Sequence, residues 1–320
     1  MTDPVKGNIS QPQPVVAANS AKAWLLAARP KTLTGAAVPV MIGIAFALRL
    51  GGWDSFRLLP AVLCFLFAFI MQIDANFIND YFDCLRGNDD AATRLGPKRA
   101  CSEGWITLPA MRAGIVVTTA LACLTGLPLI VYGGWEMIVV GLVCVAFCFL
   151  YTTRLSYLGL GDLLVLVFFG IVPVCLTCYV VLPEGAERID WHVFSVSVWC
   201  GLVIDTLLVV NNYRDRENDR RDGKMTLVVR IGEKYAERLY LGLGLAAVLG
   251  VQLTVWDGNR QWTDFVAFFL PDVYLFLHVL TYQQMIRIRK GRELNKILGQ
   301  TARNMFVFGI VTTLGLLMAS

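Results

Sequence analysis

The sequence predicts an all-α polytopic membrane protein, with nine transmembrane helices in one bundle, an internal pseudo-repeat and a central cavity open to the cytoplasmic side. Three observations carry the helical bundle. Of 320 residues, 56% are hydrophobic and 16% charged, with a mean hydropathy of +0.60, against about 25% charged in an ordinary soluble domain. Nine apolar runs approach or reach the roughly 20 residues that cross about 30 Å of hydrocarbon as a helix, the form in which a backbone satisfies its own hydrogen bonds in lipid. With the N-terminus in the cytoplasm, 24 of the 28 Lys and Arg lie on that side, leaving only Arg49, Arg57, Arg188 and Arg260 on the other. That asymmetry is the positive-inside pattern.

Taken in order, residues 1–20 contain Gln11-Pro12-Gln13-Pro14 and no apolar core. They read as a disordered cytoplasmic tail and not a secretory signal; residues 21–320 form the nine-helix domain. The runs fall near 33–50, 58–80, 110–131, 134–151, 161–182, 191–211, 238–256, 263–283 and 304–319. An odd number puts the C-terminus on the face opposite the N-terminus. Nine cysteines, mostly inside apolar runs, do not suggest a disulfide framework. Cys175 and Cys178 form a CxxC beside Pro173 within the fifth run, where an apolar setting disfavours a thiolate and packing is the expected role. Asp272, next to Pro271 in the eighth run, marks either a functional contact or a break in the helix near the outer surface.

The positions of the acids carry the chemistry. Asp74, Asp80, Asp83, Asp89 and Asp90 gather at the end of the second run and just beyond it, and Asp205, Asp215, Glu217, Asp219 and Asp222 at the end of the sixth. Like charges at that density call for a cation or a cationic ligand. The two clusters also match. With residue 79 set against residue 211, Asn79-Asp80-Tyr81-Phe82-Asp83 lies over Asn211-Asn212-Tyr213-Arg214-Asp215, and Asp90 over Asp222. An offset of 132 residues reads as an internal duplication that sets both clusters face to face at one shared site.

Asp80 and Asp83 are three apart and Asp215 and Asp219 four apart, so on continuing helices each pair shares a face, as do Asn76, Asn79 and Asp80. Oxygen-rich sets of this kind suit Mg²⁺. Zinc is not expected where His192 and His278 are the only histidines. No basic stripe interleaved with aromatics is present, so nucleic acid is not an expected partner.

These residues resemble the UbiA-type intramembrane prenyltransferases over nearly the whole chain. The family carries aspartate-rich motifs on the second and sixth of nine helices; here they read NDYFDCLRGND at 79–89 and NNYRDRENDRRDGKMTL at 211–227, with YTTRLSYLGLGD at 151–162 as a third element. The first motif departs from the common NDxxDxxxD, having Gly87 at the final acid's place and Asp89 two residues on. That variant, with AARPKTLTGAAVPVMIG at 27–43 and GPKRACSEGWIT at 96–107, is similar to the 1,4-dihydroxy-2-naphthoate polyprenyltransferases of menaquinone synthesis.

The resemblance implies transfer of a polyprenyl group from a prenyl diphosphate to 1,4-dihydroxy-2-naphthoate, with loss of CO₂ and pyrophosphate, in the bacterial inner membrane. It implies Mg²⁺, two ions, held by Asn76, Asn79, Asp80, Asp83 and Asp89 on one side and Asn211, Asp215 and Asp219 on the other. Asp80, Asp83, Asp215 and Asp219 would carry the catalysis by neutralising the leaving group. Lys31, Arg99, Arg154, Arg214 and Lys224 are the expected diphosphate contacts, with Arg29 a further candidate. Tyr151, Asp162, Phe147 and Phe168 would line the acceptor and prenyl pocket, where aromatic faces favour a carbocation and exclude water. Two alternatives stay open. A relative with another acceptor (4-hydroxybenzoate, homogentisate, haem) separates by acceptor choice. A secondary transporter separates by releasing no pyrophosphate.

Overall fold

The computed structural model describes residues 16–87, 94–183, 189–256 and 261–319. Among these, the chain is all-helical, with nine helices long and apolar enough to span a membrane. They are α1 (Ala21–Gly51), α2 (Leu58–Arg86), α3 (Leu108–Gly133), α4 (Glu136–Leu155), α5 (Gly161–Val181), α6 (Trp191–Arg221), α7 (Glu233–Val255), α8 (Trp262–Ile288) and α9 (Leu294–Met318). With so much apolar surface turned outward, on residues such as Val131, Leu142, Leu253 and Phe276, it is an integral membrane protein. Most of the 1–20 tail lies outside the described residues, as do Asp89 and Asp90.

α1 and α6 form the middle of the bundle, 61% and 67% of their most apolar stretches being buried, whereas α3 and α4 bury only 11% and 6% and sit at the periphery. α6 packs on α1, α5, α7 and α9, and α1 also meets α2 and α9. Buried Val38, Ile42, Val174, Val203 and Phe308 belong to the apolar core these helices share.

The repeat is visible in the helix starts. An offset of 132 carries Leu58 of α2 to residue 190 and Gly161 of α5 to residue 293, each one short of the observed starts at Trp191 and Leu294. Equivalent helices thus return the two acid-rich segments to the same end of the bundle.

Three kinds of departure from regular helix occur along the bundle. α1 is interrupted at Arg29, a non-glycine residue with φ of 50°, followed by a tight turn over Pro30–Thr32. Wide π-helical turns occur at Tyr151–Leu155 and Leu166–Ile171, an irregularity that recurs at functional sites. α8 breaks around Leu270 and Pro271, and Asp272 resumes it while accepting a 3.0 Å hydrogen bond from Gln252. Of the two expectations for Asp272 the helix break is the one observed, with the half-buried carboxylate held by Gln252 of α7.

The apolar runs end near residues 80 and 211, but α2 continues to Arg86 and α6 to Arg221. Asp80 and Asp83 of the first motif and Asp215 and Asp219 of the second therefore lie on helix and not on loop. Gly87 ends α2 with φ of 72°, its N–H closing on Asp83 and Cys84. A left-handed C-terminal residue favours glycine over a β-carbon-bearing acid, which accounts physically for the departure at Gly87.

Candidate active site

The end of α2 meets α1 and the segment 94–107. Asn76 donates its amide to the Ala28 carbonyl at 3.0 Å and to the Thr32 hydroxyl at 2.9 Å, holding the broken turn of α1 against α2. Asp80 is 1% exposed, and its two oxygens accept the Ala100 and Cys101 N–H groups at 2.9 and 3.0 Å. It anchors the segment that follows the first motif. Arg29, delivered by its left-handed backbone, brings its guanidinium to 3.8 Å from the same carboxylate. Asn79 accepts a hydrogen bond from the Thr152 hydroxyl of α4, and Arg86 donates to the Thr152 and Thr153 carbonyls while lying over the Tyr157 ring.

The end of α6 is organised by Arg214, which is 3% exposed. It grips Asp215 through Nε at 2.8 Å and a second nitrogen at 2.5 Å, and also donates to Asn211 and Asn295 at 2.9 Å. Asn295 in turn donates to the Leu95 carbonyl at 2.8 Å. The 94–107 segment is thus pinned to α2 by Asp80 and to α6 through Asn295, and it spans the two motifs.

Between these anchors the remaining charges converge. Asp83 lies 3.6 Å from Arg99. Asp219 lies 3.8 Å from Lys224 and keeps one buried oxygen, Oδ2, with no hydrogen-bond partner among the described residues. Burial works against the Lys224 ammonium, yet Asp219, Tyr151 and Asp83 outweigh it and lift its pKa above the ordinary lysine value. Burial lowers Arg94 to about 10, with Asp215 and Asp83 acting to raise it and Arg29 and Arg214 adding to the depression. One lysine from beyond α6 and one arginine from beyond α2 therefore each feel acids of both motifs.

An apolar cavity of about 500 Å³ opens beside this cluster. Asn79, Gln72, Tyr151 and Thr152 stand at its polar end, and Phe147 and Phe168, with ring centroids 5.0 Å apart, form part of its wall. It runs down α2 from Asn79 to Cys64, about 22 Å at the helical rise per residue. The cavity thus joins a polar end at Asn79, Tyr151 and Thr152 to a hydrocarbon-like interior, with Tyr151 within electrostatic reach of Lys224 and Asp83.

The structure brings together Asp80, Asp83, Asp219, Arg99, Lys224 and Tyr151 in this way, with Asn211, Arg214 and Asp215 forming the adjoining cluster on α6. It does not bring in Lys31 or Arg154, whose side chains are exposed and make no ion pair among the described residues. Asp74 also stands apart: buried in the membrane region, it accepts the Thr118 and Thr119 hydroxyls at 2.5 and 2.8 Å and ties α2 to α3. Arg94 and Asn295 escape a motif search, and Arg86, though inside the first motif, is not among the expected contacts. Arg94 shows only as one more basic residue in a basic loop, and Asn295 has no sequence signal at all.

Residues 36–316 match the model of the UbiA prenyltransferase family. The chain belongs to that family. It is 34% identical over 290 residues to the 1,4-dihydroxy-2-naphthoate octaprenyltransferase of Mycobacterium tuberculosis, covering 90% of this chain and 94% of the relative. The enzyme of the same name from Escherichia coli is also 34% identical, over 72% of this chain and 76% of its own. Among solved structures, the apo form of a UbiA homologue from Aeropyrum pernix superposes with a TM-score of 0.66 at 16% identity, over 87% of this chain and 96% of that one. A homologue from Archaeoglobus fulgidus, solved with GPP and Mg²⁺, gives 0.59 at 15% identity over 91% and 99%. As a UbiA prenyltransferase, the chain has the expected nine-helix fold.

Proposed function

We propose that the chain transfers a polyprenyl group from its diphosphate to 1,4-dihydroxy-2-naphthoate, releasing CO₂ and pyrophosphate and leaving a demethylmenaquinol that oxidises to demethylmenaquinone. The observation that carries this reading is the gathering of one acid from each motif with its own cation, Asp219 3.8 Å from Lys224 and Asp83 3.6 Å from Arg99, next to Tyr151 at the polar end of an apolar cavity. A ligand with a highly charged head and a hydrocarbon tail suits such a place. The acceptor and the prenyl group are supported by the names of the relatives.

A hard dication fits the donor set. No three acids, histidines or cysteines are close enough to cage a metal among the described residues, but Mg²⁺ typically takes one or two carboxylates and completes its shell with water and substrate phosphate. The partnerless Oδ2 of Asp219 and the partly exposed Asp83 are the donors available, one from each motif, and two ions are proposed. When bound, Mg²⁺ neutralises charge developing on the leaving diphosphate.

The chain's own residues do the rest. Lys224, Arg94, Arg99 and Arg29 hold the diphosphate. Arg214 keeps Asp215 in a fixed rotamer, and Asp80 keeps the 94–107 segment over the site. Phe147, Phe168 and Tyr151 present ring faces where the allylic carbon becomes positive, and the cavity walls keep water from it. The tail lies along α2, and the acid-rich end faces the cytoplasm, as the distribution of Lys and Arg supports.

Purified protein supplied with prenyl diphosphate, Mg²⁺ and 1,4-dihydroxy-2-naphthoate is expected to form demethylmenaquinol and pyrophosphate in equal amounts, and to stop when the metal is chelated. Product from 4-hydroxybenzoate alone would overturn the acceptor. An absence of pyrophosphate with every acceptor tried would overturn the reaction.

A further inference from the structure

Two acids with buried carboxyl oxygens have no role in the proposed reaction so far, Asp162 standing behind the cavity wall and not in the lining that the sequence predicts. Asp162 opens α5 and Asp205 lies on α6, and each sits within reach of the other's charge across the packed α5–α6 interface. Glycine brings the helices together: a Cβ on Gly170 would stand 2.6 Å from the Cα of Gly201, and one on Gly201 would stand 2.9 Å from the Leu166 carbonyl oxygen. Asp205 follows Gly201 by four residues and Asp162 precedes Leu166 by four. One turn beyond the close contact, the antiparallel helices therefore turn the two carboxyls toward one another.

These carboxyls differ from the other buried acids. Both oxygens of Asp162 and Oδ1 of Asp205 are buried without a hydrogen-bond partner among the described residues, and Asp205 is 5% exposed. Asp74 and Asp80, equally buried, have both oxygens satisfied. Two facing carboxylates in apolar surroundings repel, and a proton held between them removes the repulsion while giving the oxygens a partner.

Tyr151 connects the pair to the cavity. Its ring lines the cavity wall, and its hydroxyl lies 3.7 Å from the Cβ position of Gly161, the neighbour of Asp162. Asp162, Asp205, Lys224 and Asp83 are the charged groups that act on this phenol.

We propose that Asp162 and Asp205 share one proton and exchange it, through the Tyr151 hydroxyl, with a ring hydroxyl of the aromatic acceptor. The proposal rests on the acceptor reading above only in requiring a hydroxyl beside the attacked ring carbon. The pair takes the hydroxyl proton, and the oxygen's electrons drive a new C–C bond from the carboxylate-bearing carbon to the prenyl carbon. The prenyl C–O bond breaks at the same stage, its electron pair leaving with pyrophosphate. The bond to the carboxylate then breaks, CO₂ departs, and the electron pair left behind restores the aromatic ring with its oxygen anionic. The pair returns the proton to that oxygen. No net proton is consumed and nothing is oxidised, so a reversible proton holder in a dry site meets the need. Asp162 and Asp205 are positioning residues here, acting through Tyr151.

The test uses the full chain in lipid nanodiscs with Asp162→Asn, Asp205→Asn, the double variant and Tyr151→Phe. Infrared difference spectra of the resting protein are expected to show a protonated-carboxyl C=O stretch in the parent that is lost in both Asn variants and kept in Tyr151→Phe. Its absence from the parent would overturn the shared proton whatever the acceptor. With prenyl diphosphate and 1,4-dihydroxy-2-naphthoate, each Asn variant is expected to lose about 100-fold in kcat, within the span of general acid–base effects. The KM for the prenyl diphosphate should stay unchanged, and the double variant should be no slower than the slower single. A ring-fluorinated naphthoate, whose hydroxyl ionises more readily, should recover at least about tenfold of the loss. Activity within twofold of the parent, or a loss that the acidic acceptor does not relieve, would overturn the proposal. A parent that shows the infrared band yet leaves the naphthoate unreacted refutes the acceptor and leaves the pair standing.

Discussion

Asp83 on α2 and Asp215 on α6 occupy equivalent places in the repeat, with side chains exposed to nearly the same extent, 24% and 22%. Their surroundings differ. Asp215 is forked by its own neighbour Arg214, whereas Asp83 is left 3.6 Å from Arg99 on the segment that crosses the site. The divergence continues along each motif. Asp80 spends both oxygens on the backbone of residues 100 and 101, while its repeat partner is the amide Asn212. Asp219 keeps an oxygen unengaged, while its repeat partner is Gly87, which ends the helix. Duplication supplies two similar positions, and the segment packed on each determines whether an acid there builds the scaffold or faces the ligand.

Substitutions can break this comparison directly. The largest effect is expected at the two acids left for the ligand: Asp83→Asn or Asp219→Asn should lower turnover by about 10²–10³-fold, the loss typical when a preorganised electrostatic contact is removed, with the melting temperature little changed. Turnover within a few fold of the parent in both would break the assignment. Asp80→Asn should reduce activity too, but through the scaffold. Leaving one of two buried N–H groups without an acceptor costs about 1–3 kcal/mol, and limited proteolysis should then cut the 94–107 segment faster. A variant with unchanged proteolysis and stability but no turnover would place Asp80 among the ligand groups instead.

Lys224→Met should raise the KM for prenyl diphosphate by about tenfold, in keeping with a charge-assisted hydrogen bond, and leave that for the acceptor unchanged. The pH dependence sharpens the point. The folded-state pKa of Lys224 is raised, so its pairing with Asp219 stabilises the fold fully below the ordinary lysine value of about 10.4. That contribution is lost only as pH rises through the higher folded value. Prenyl diphosphate affinity is therefore expected to stay flat from about pH 7 to 9; a fall within that window would show that Lys224 is not the cation in contact. The smallest effect is expected at Asp74→Asn, which serves as the control: its bonds to Thr118 and Thr119 tie helices together, so kcat should stay within about twofold while stability drops by about 1 kcal/mol.

Much of this is legible in the amino-acid sequence. The nine spans can be counted there because a helix crossing lipid needs a long apolar run, and the offset of 132 residues implies that two acid-rich ends meet. Helix ends are less legible: hydropathy reports which solvent a segment prefers, so it stops at residues 80 and 211, while the backbone stays helical to Arg86 and Arg221. Within the site, Arg154 looks as promising as Lys224 because both lie in motifs beside acids. One is exposed and the other half-buried beside Asp219, a difference of side-chain direction that composition does not carry. Arg94 is the opposite case, an ordinary loop residue until folding sets it between Asp215 and Asp83.

The sequence by itself determined the class of solvent, the number and order of helices, the family and the spacing that sets motif acids on one helical face. All of these depend on local periodicity or on matched patterns along one chain. Only the tertiary structure decided which acid oxygens are engaged and which are left for a ligand. The partners of Asp80 lie 20 and 21 residues away, that of Asn79 lies 73 away, and the Asn295 that steadies Arg214 lies 81 away. A hydrogen bond forms only where donor and acceptor come within about 3 Å, and over such separations that proximity is created by helix packing.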